Sequence, residues 1–198
     1  MDRTKKIYLA IFFIALVASG IKPLDYFTWF LEIVPAFIAL VILATTYKKF
    51  QFSNFIYGLI LFHSIVLMIG GHWTYAEVPL GYWIKEMFNF SRNHYDRFGH
   101  LMQGFVPTMV ARELIIRRNI VPDRKWMNFF IVFTILGFSA CYEFFEWGMS
   151  ILTGEAADAF LGTQGDIWDT QWDMFMCFVG SILALLTMSS LHDKLLGK

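Results

Sequence analysis

His94, Asp96, Arg97 and His100 fall within seven consecutive positions; Glu143 and Glu146 are three apart; Asp166, Asp169 and Asp173 are spaced by three and four. Carboxylates and imidazoles in such sets transfer protons, pair with a guanidinium, or ligate a divalent cation such as Mg²⁺, Mn²⁺ or Zn²⁺. On a helix, Glu143/Glu146 share a face as an i,i+3 pair, and Asp96/His100 and Asp169/Asp173 do so as i,i+4 pairs. Asp166, Asp169 and Asp173 make one stripe if helix begins near Gly165, with Asp166 as an alternative helix cap.

The elements that must carry these groups are membrane helices. The 198 residues are 57% hydrophobic and 19% aromatic, with a mean hydropathy of +0.53. The apolar residues come in long runs. Six stretches are long enough to cross a bilayer: Ile7–Ile21, Phe27–Tyr47, Phe55–Gly71, Phe98–Ile116, Phe129–Leu152 and Trp172–Leu191. The expected fold is therefore all-α, a polytopic membrane helix bundle of about six transmembrane helices forming a single integral domain over 1–198. The fourth stretch carries His100, Gln103, Arg112 and Glu113. It can sit in lipid only if other helices shield it, so it should be central. Pro107 lies within it and should kink it.

Twelve of the sixteen Lys and Arg residues lie at one set of helix ends; only Lys22, Lys85, Arg92 and Arg97 lie at the other. The positive-inside rule then places both termini in the cytoplasm and the 72–97 and 153–171 loops outside. Ala18-Ser19-Gly20 has the small-x-small form of a signal-peptidase site. An uncleaved first helix fits better, because an even number of spans keeps both termini on the basic side. Within the 72–97 loop, Leu80, Trp83, Ile84, Met87 and Phe88 recur at helical spacing, which predicts an interfacial amphipathic helix. A zero net charge gives no case for nucleic-acid binding. Cys141 and Cys177 fall inside apolar runs and read as small core residues.

Depth unites the charged groups. Glu143 lies roughly 21 Å and Glu146 roughly 25 Å above Phe129 by helical rise, in a core about 30 Å thick. His100 and Asp173 enter from the outer side, so three helices deliver polar groups to one outer slab. Two carboxylates about 5 Å apart repel by roughly 3 kcal/mol at an effective dielectric of 20. A proton, Arg97, a protonated His100 or a bound cation must relieve that.

The residues sort into three provisional roles. Glu143, Glu146, Asp96 and His100 form an acid–base set. His100, Glu146, Asp169 and Asp173 are divalent-cation ligands. His94, Arg97, Gln103, Gln164, Asp166 and Gln171 are substrate contacts. Together they describe a cation-dependent envelope enzyme or ligand-binding protein acting on a lipid or lipid-linked substrate. A proton- or ion-coupled transporter using Pro107 as a helix break is the second reading, and a non-catalytic membrane scaffold the third. His63 reads as a neutral histidine bonded to a neighbouring helix, Arg112 and Glu113 as paired or snorkelling groups, and His192 as a tail residue.

The stretches Asn93–Phe105, Tyr142–Trp147 and Gly162–Met174 resemble the YjdF-type inner-membrane protein family. That resemblance covers nearly the whole chain and implies a multi-pass plasma (inner) membrane protein, with no activity attached. More distantly, Asp96-Arg97-Phe98-Gly99-His100, Glu143/Glu146 and Asp169/Asp173 are similar to the acidic–basic–x–x–His motif and later acidic helices of VanZ-like proteins. This implies a cell-envelope setting with lipid-linked or glycan-related ligands. Thr163 stands where a GxGD aspartyl protease needs glycine, and neither a Ser-Gly-His phosphatase motif nor a Gly-x-Ser-x-Gly elbow occurs.

Overall fold

A computed structural model describes residues 1–154 and 158–197. The described residues form eight helices and no strand: α1 (Arg3–Ser19), α2 (Tyr26–Thr46), α3 (Asn54–Trp73), α4 (Pro79–Phe88), α5 (Tyr95–Arg118), α6 (Arg124–Thr153), α7 (Asp158–Leu161) and α8 (Asp169–Leu195). Four of them, α2, α3, α6 and α8, are long and apolar enough to cross a membrane on their own composition. α1 has 17 residues, and its exposed Ile7, Ile11, Ile14 and Val17 give it a lipid-compatible face. α5 fails only because it is polar, and its polar side is hidden. It packs most extensively on α8 and also lies against α3 and α6, which is the shielded central position its sequence demands.

The six long rods form two groups, α1–α2–α3 and α5–α6–α8, joined where α3 meets α5. Hydrophobic burial drives little helix association in lipid, so close contact and hydrogen bonds must hold the rods together. The α5–α8 seam shows both. A Cβ on Gly104 would lie 1.9 Å from the Cys177 carbonyl oxygen, and one on Gly180 would lie 2.0 Å from that of Leu101. Only glycine admits this backbone contact. Just below it, the hydroxyls of Thr108 and Ser181 are 2.6 Å apart.

One end of the bundle is stapled by ion pairs. Glu113, fully buried, accepts from the Ser53 backbone N–H at 2.7 Å, the Ser53 hydroxyl at 2.6 Å and Arg117 at 2.9 Å. His192 Nε2 lies 3.0 Å from the same carboxylate, while Arg112 reaches His192 Nδ1 at 2.7 Å and Asp193 at 2.7 Å. The expectation that Arg112 and Glu113 are paired holds. That His192 is a tail residue does not: α8 continues to Leu195 and drives the ring into the α3–α5 junction. Lys5 of α1 reaches Gln51 at this same end, so both termini lie on one side.

At the opposite end the loop helix is present as α4, with Leu80, Trp83, Met87 and Phe88 exposed. Such a face has the character of an interfacial amphipathic helix. α5 runs as one helix through Pro107. Cys177 is buried as expected, but Cys141 lies on the outside of α6. α8 starts at Asp169, not near Gly165. Asp166 therefore sits in a turn before the helix and accepts from the Trp168 backbone N–H at 3.0 Å, so the three aspartates are not one helical stripe.

Candidate outer-leaflet site

Asn93 fixes the entry to α5. It is fully buried; its amide donates to the carbonyls of Ala76 and Val78, and its side-chain oxygen accepts from the Tyr95 N–H. Gln164 clamps its backbone from the other loop, accepting from Asn93 N–H at 3.0 Å and donating to Asn93 C=O at 2.9 Å. Thus Gln164 ties the 89–94 and 162–168 segments together.

Above the bundle lies a charged tier. Arg92 is buried and donates to Asp169 and to the Gly162 carbonyl, with Asp166 at 3.5 Å and Asp96 at 3.9 Å. Arg97 donates to Asp166 at 2.6 Å, with its guanidinium 4.9 Å from the Trp172 ring centroid. Two arginines and two aspartates thereby balance. The Trp168 N–H, with Arg97 and Arg92 adding positive charge, holds the Asp166 carboxyl below its ordinary range against a smaller opposing effect of burial. Burial and the same two arginines hold the His94 imidazole below its usual value. A neutral His94 can then accept from Arg97, whose Nη1 is 3.3 Å from Nδ1.

Beneath this tier acids outnumber bases. Asp96 and His100, one turn apart on α5, meet Asp173 of α8, with one ligating atom from each lying within 4.8 Å of the others. Glu143 Oε1 is 3.9 Å from His100 Nδ1. Glu32, Glu146 and His63 line the same small cavity as Asp96 and His100, closed by Tyr75 and Tyr142, with a volume of about 70 Å³. That exceeds the ~15 Å³ needed for one water. Five carboxylates therefore face two imidazoles between the two helix groups. Glu143 Oε1, Asp173 Oδ1 and His63 Nε2 are sealed from solvent without a hydrogen-bond partner. The expected partner for His63 on a neighbouring helix is absent among the described residues.

The tautomer of His100 follows from its neighbours. Gln103 Oε1 lies 2.9 Å from Nδ1 and also receives the Ser139 hydroxyl at 3.4 Å. An amide oxygen only accepts, so Nδ1 carries the proton. Nε2 then faces Asp96 Oδ1 at 3.6 Å. In a neutral ring both atoms are acceptors; a second proton or a cation between them resolves the conflict. The three ligands offer O, N and O. A cation about 2.1 Å from each donor needs them within roughly 4.2 Å of one another, against the 4.8 Å within which these three lie.

Asp96, His100 and Asp173 thus converge, with Glu143 and Glu146 at the margin. Asp169 is engaged by Arg92, Gln103 orients His100, and His94, Arg97 and Asp166 belong to the upper tier. Gln171 is exposed on a shallow aromatic surface with Trp168, Trp172 and Phe175. Sequence reasoning missed Glu32 and Arg92. A lone acid in the most hydropathic span was a sufficient signal for the first.

Residues 4–194 match the family described as predicted membrane protein, DUF2238. The inner membrane protein YjdF of Escherichia coli (strain K12) is 40% identical over 183 residues, covering 92% of this chain and 88% of that relative. No solved structure matches. The protein is an integral, multi-pass inner-membrane protein, and the chain belongs to the DUF2238 family.

Proposed function

We propose that the lower tier binds one divalent cation through Asp96, His100 and Asp173, and through it the phosphate of a lipid or lipid-linked envelope ligand. The observation that carries this reading is the buried, unpartnered Asp173 Oδ1 in a group where Asp96, His100 and Asp173 each bring one ligating atom within 4.8 Å of the others. A buried carboxylate without a partner is expensive, and a cation would satisfy it while offsetting the excess negative charge. Mn²⁺ or Zn²⁺ suits the mixed N/O set, and Mg²⁺ a site completed by water. As a cation-dependent enzyme, the protein would use Glu143 or Glu146 as the base acting on a phosphoryl or carbonyl centre polarised by the ion. The exposed apolar face of α4 suits a ligand approaching from the outer interface.

A proton- or ion-coupled carrier is favoured by the polar pairs that continue down the α5–α8 seam, from Thr108–Ser181 to Arg112–His192. The backbone contact at Gly104 and Gly180 interrupts that line, which supports a one-sided pocket over a through path. The test is binding of a phosphate-bearing lipid to purified protein, with and without Mn²⁺ and chelator. Binding that needs the cation, survives in Glu143→Gln and is lost in His100→Ala supports the reading. Cation-independent binding, or substrate-dependent flux in proteoliposomes, opposes it.

A further inference from the structure

At the cytoplasmic end, an apolar groove of about 280 Å³ runs between α1, α2 and α3. Leu9, Phe12, Ala36, Leu40 and Leu61 line it, and Lys5, Tyr47 and Tyr57 stand at its mouth. From Ala36 to Tyr47 it extends about 16 Å by helical rise, close to one leaflet, half of a core about 30 Å thick. Tyr47 also borders a second recess formed by Lys48, Lys49, Phe50, Arg117 and Arg118.

That recess is built. The guanidinium groups of Arg117 and Arg118 lie 4.4 and 5.1 Å from the Phe50 ring centroid, and both donate to carbonyls of the 49–51 loop. Glu113 neutralises Arg117. Lys48, Lys49 and Arg118 have no carboxylate within 4.0 Å among the described residues. An apolar channel of leaflet length and three cations without a carboxylate partner follow one another along one path.

We propose that this path binds one anionic glycerophospholipid of the cytoplasmic leaflet. One acyl chain lies in the α1–α2–α3 groove, and the headgroup phosphate rests on Lys48, Lys49 and Arg118. Anionic lipid attracts a nearby basic residue by on the order of fivefold in affinity, so three residues give a preference of tenfold or more.

The test uses full-length protein delipidated in neutral detergent and offered phosphatidylglycerol and phosphatidylcholine with identical acyl chains. Bound lipid is counted by native mass spectrometry. Wild type should retain one phosphatidylglycerol with at least tenfold preference. Lys48→Gln/Lys49→Gln/Arg118→Gln should bring the ratio near one, whereas Lys125→Gln/Lys194→Gln, which removes charge at the same end outside the recess, should leave it intact. Leu40→Trp should reduce retention of both lipids. If the triple variant does not fold, Lys49→Gln and Arg118→Gln singly should each lower the ratio severalfold. A wild-type ratio near one, equal loss in the control variant, or a lipid-free dimer occupying the groove would overturn the proposal.

Discussion

Gln103 Oε1 lies 2.9 Å from His100 Nδ1, so the amide of one residue decides which nitrogen of the other faces Asp96. Supporting contacts of this kind typically account for 10–100-fold in metal affinity. Gln103→Leu should keep the fold and weaken cation binding by that order, read by competition with a calibrated chelator. Gln103→Glu offers the same acceptor and should bind within a few-fold of wild type.

Arg92 is the link between the 89–94 loop and α8. Removing it leaves Asp169 buried and uncompensated, a change that typically costs about 3–5 kcal/mol. Arg92→Gln should therefore lower the unfolding temperature in detergent sharply. Arg92→Gln/Asp169→Asn should recover much of the loss, because no lone charge remains.

The seam between α5 and α8 allows no side chain at its closest point. Gly104→Ala pushes a methyl group against the Cys177 carbonyl, which is backbone and cannot rotate away. Overpacking of this type costs about 1–3 kcal/mol. Gly137→Ala, where a Cβ meets nothing within 4 Å, should be neutral. Thermal unfolding of the two variants checks the contrast.

The bundle itself was legible in the residues. Long apolar runs mark the rods, and the polar 98–116 stretch requires a shielded place, which its contacts with α3, α6 and α8 supply. Depth brought the acids and His100 to one outer slab, since helical rise is rigid, but it could not show that Asp96 joins His100 and Asp173 while Asp169, expected as a ligand, turns to Arg92. Glu32 stands out as the one acid of the most hydropathic span, but it has no charged neighbour in sequence to mark it as part of a cluster. Arg92 was read as a loop cation, as sequence spacing cannot show a chain returning to pair with residues over 70 positions away. Gly104 and Gly180 carry no local signal that they meet, and His192 depended on how far α8 extends. Asp166 departed from a helical stripe because the positive φ values of Gln164 and Gly165 delay the start of α8.

The upper tier should respond to acid. Asp166 has a folded-state value below its unfolded one of about 3.9. Its contribution is fully present above that unfolded value and is lost as pH falls through the lower folded value. Wild type should therefore be more stable than Asp166→Asn at neutral pH, and the gap should close progressively below about pH 4. Unfolding temperatures of both proteins from pH 7 to pH 3 measure it.

The cation site is tested most directly by metal content. Purified protein is dialysed against equimolar Mg²⁺, Mn²⁺ and Zn²⁺, then against metal-free buffer, and analysed by mass spectrometry of the elements beside Asp173→Asn. About one equivalent of a single metal per wild-type chain, absent from the folded variant, is the predicted result. Wild type holding no more metal than Asp173→Asn would contradict it.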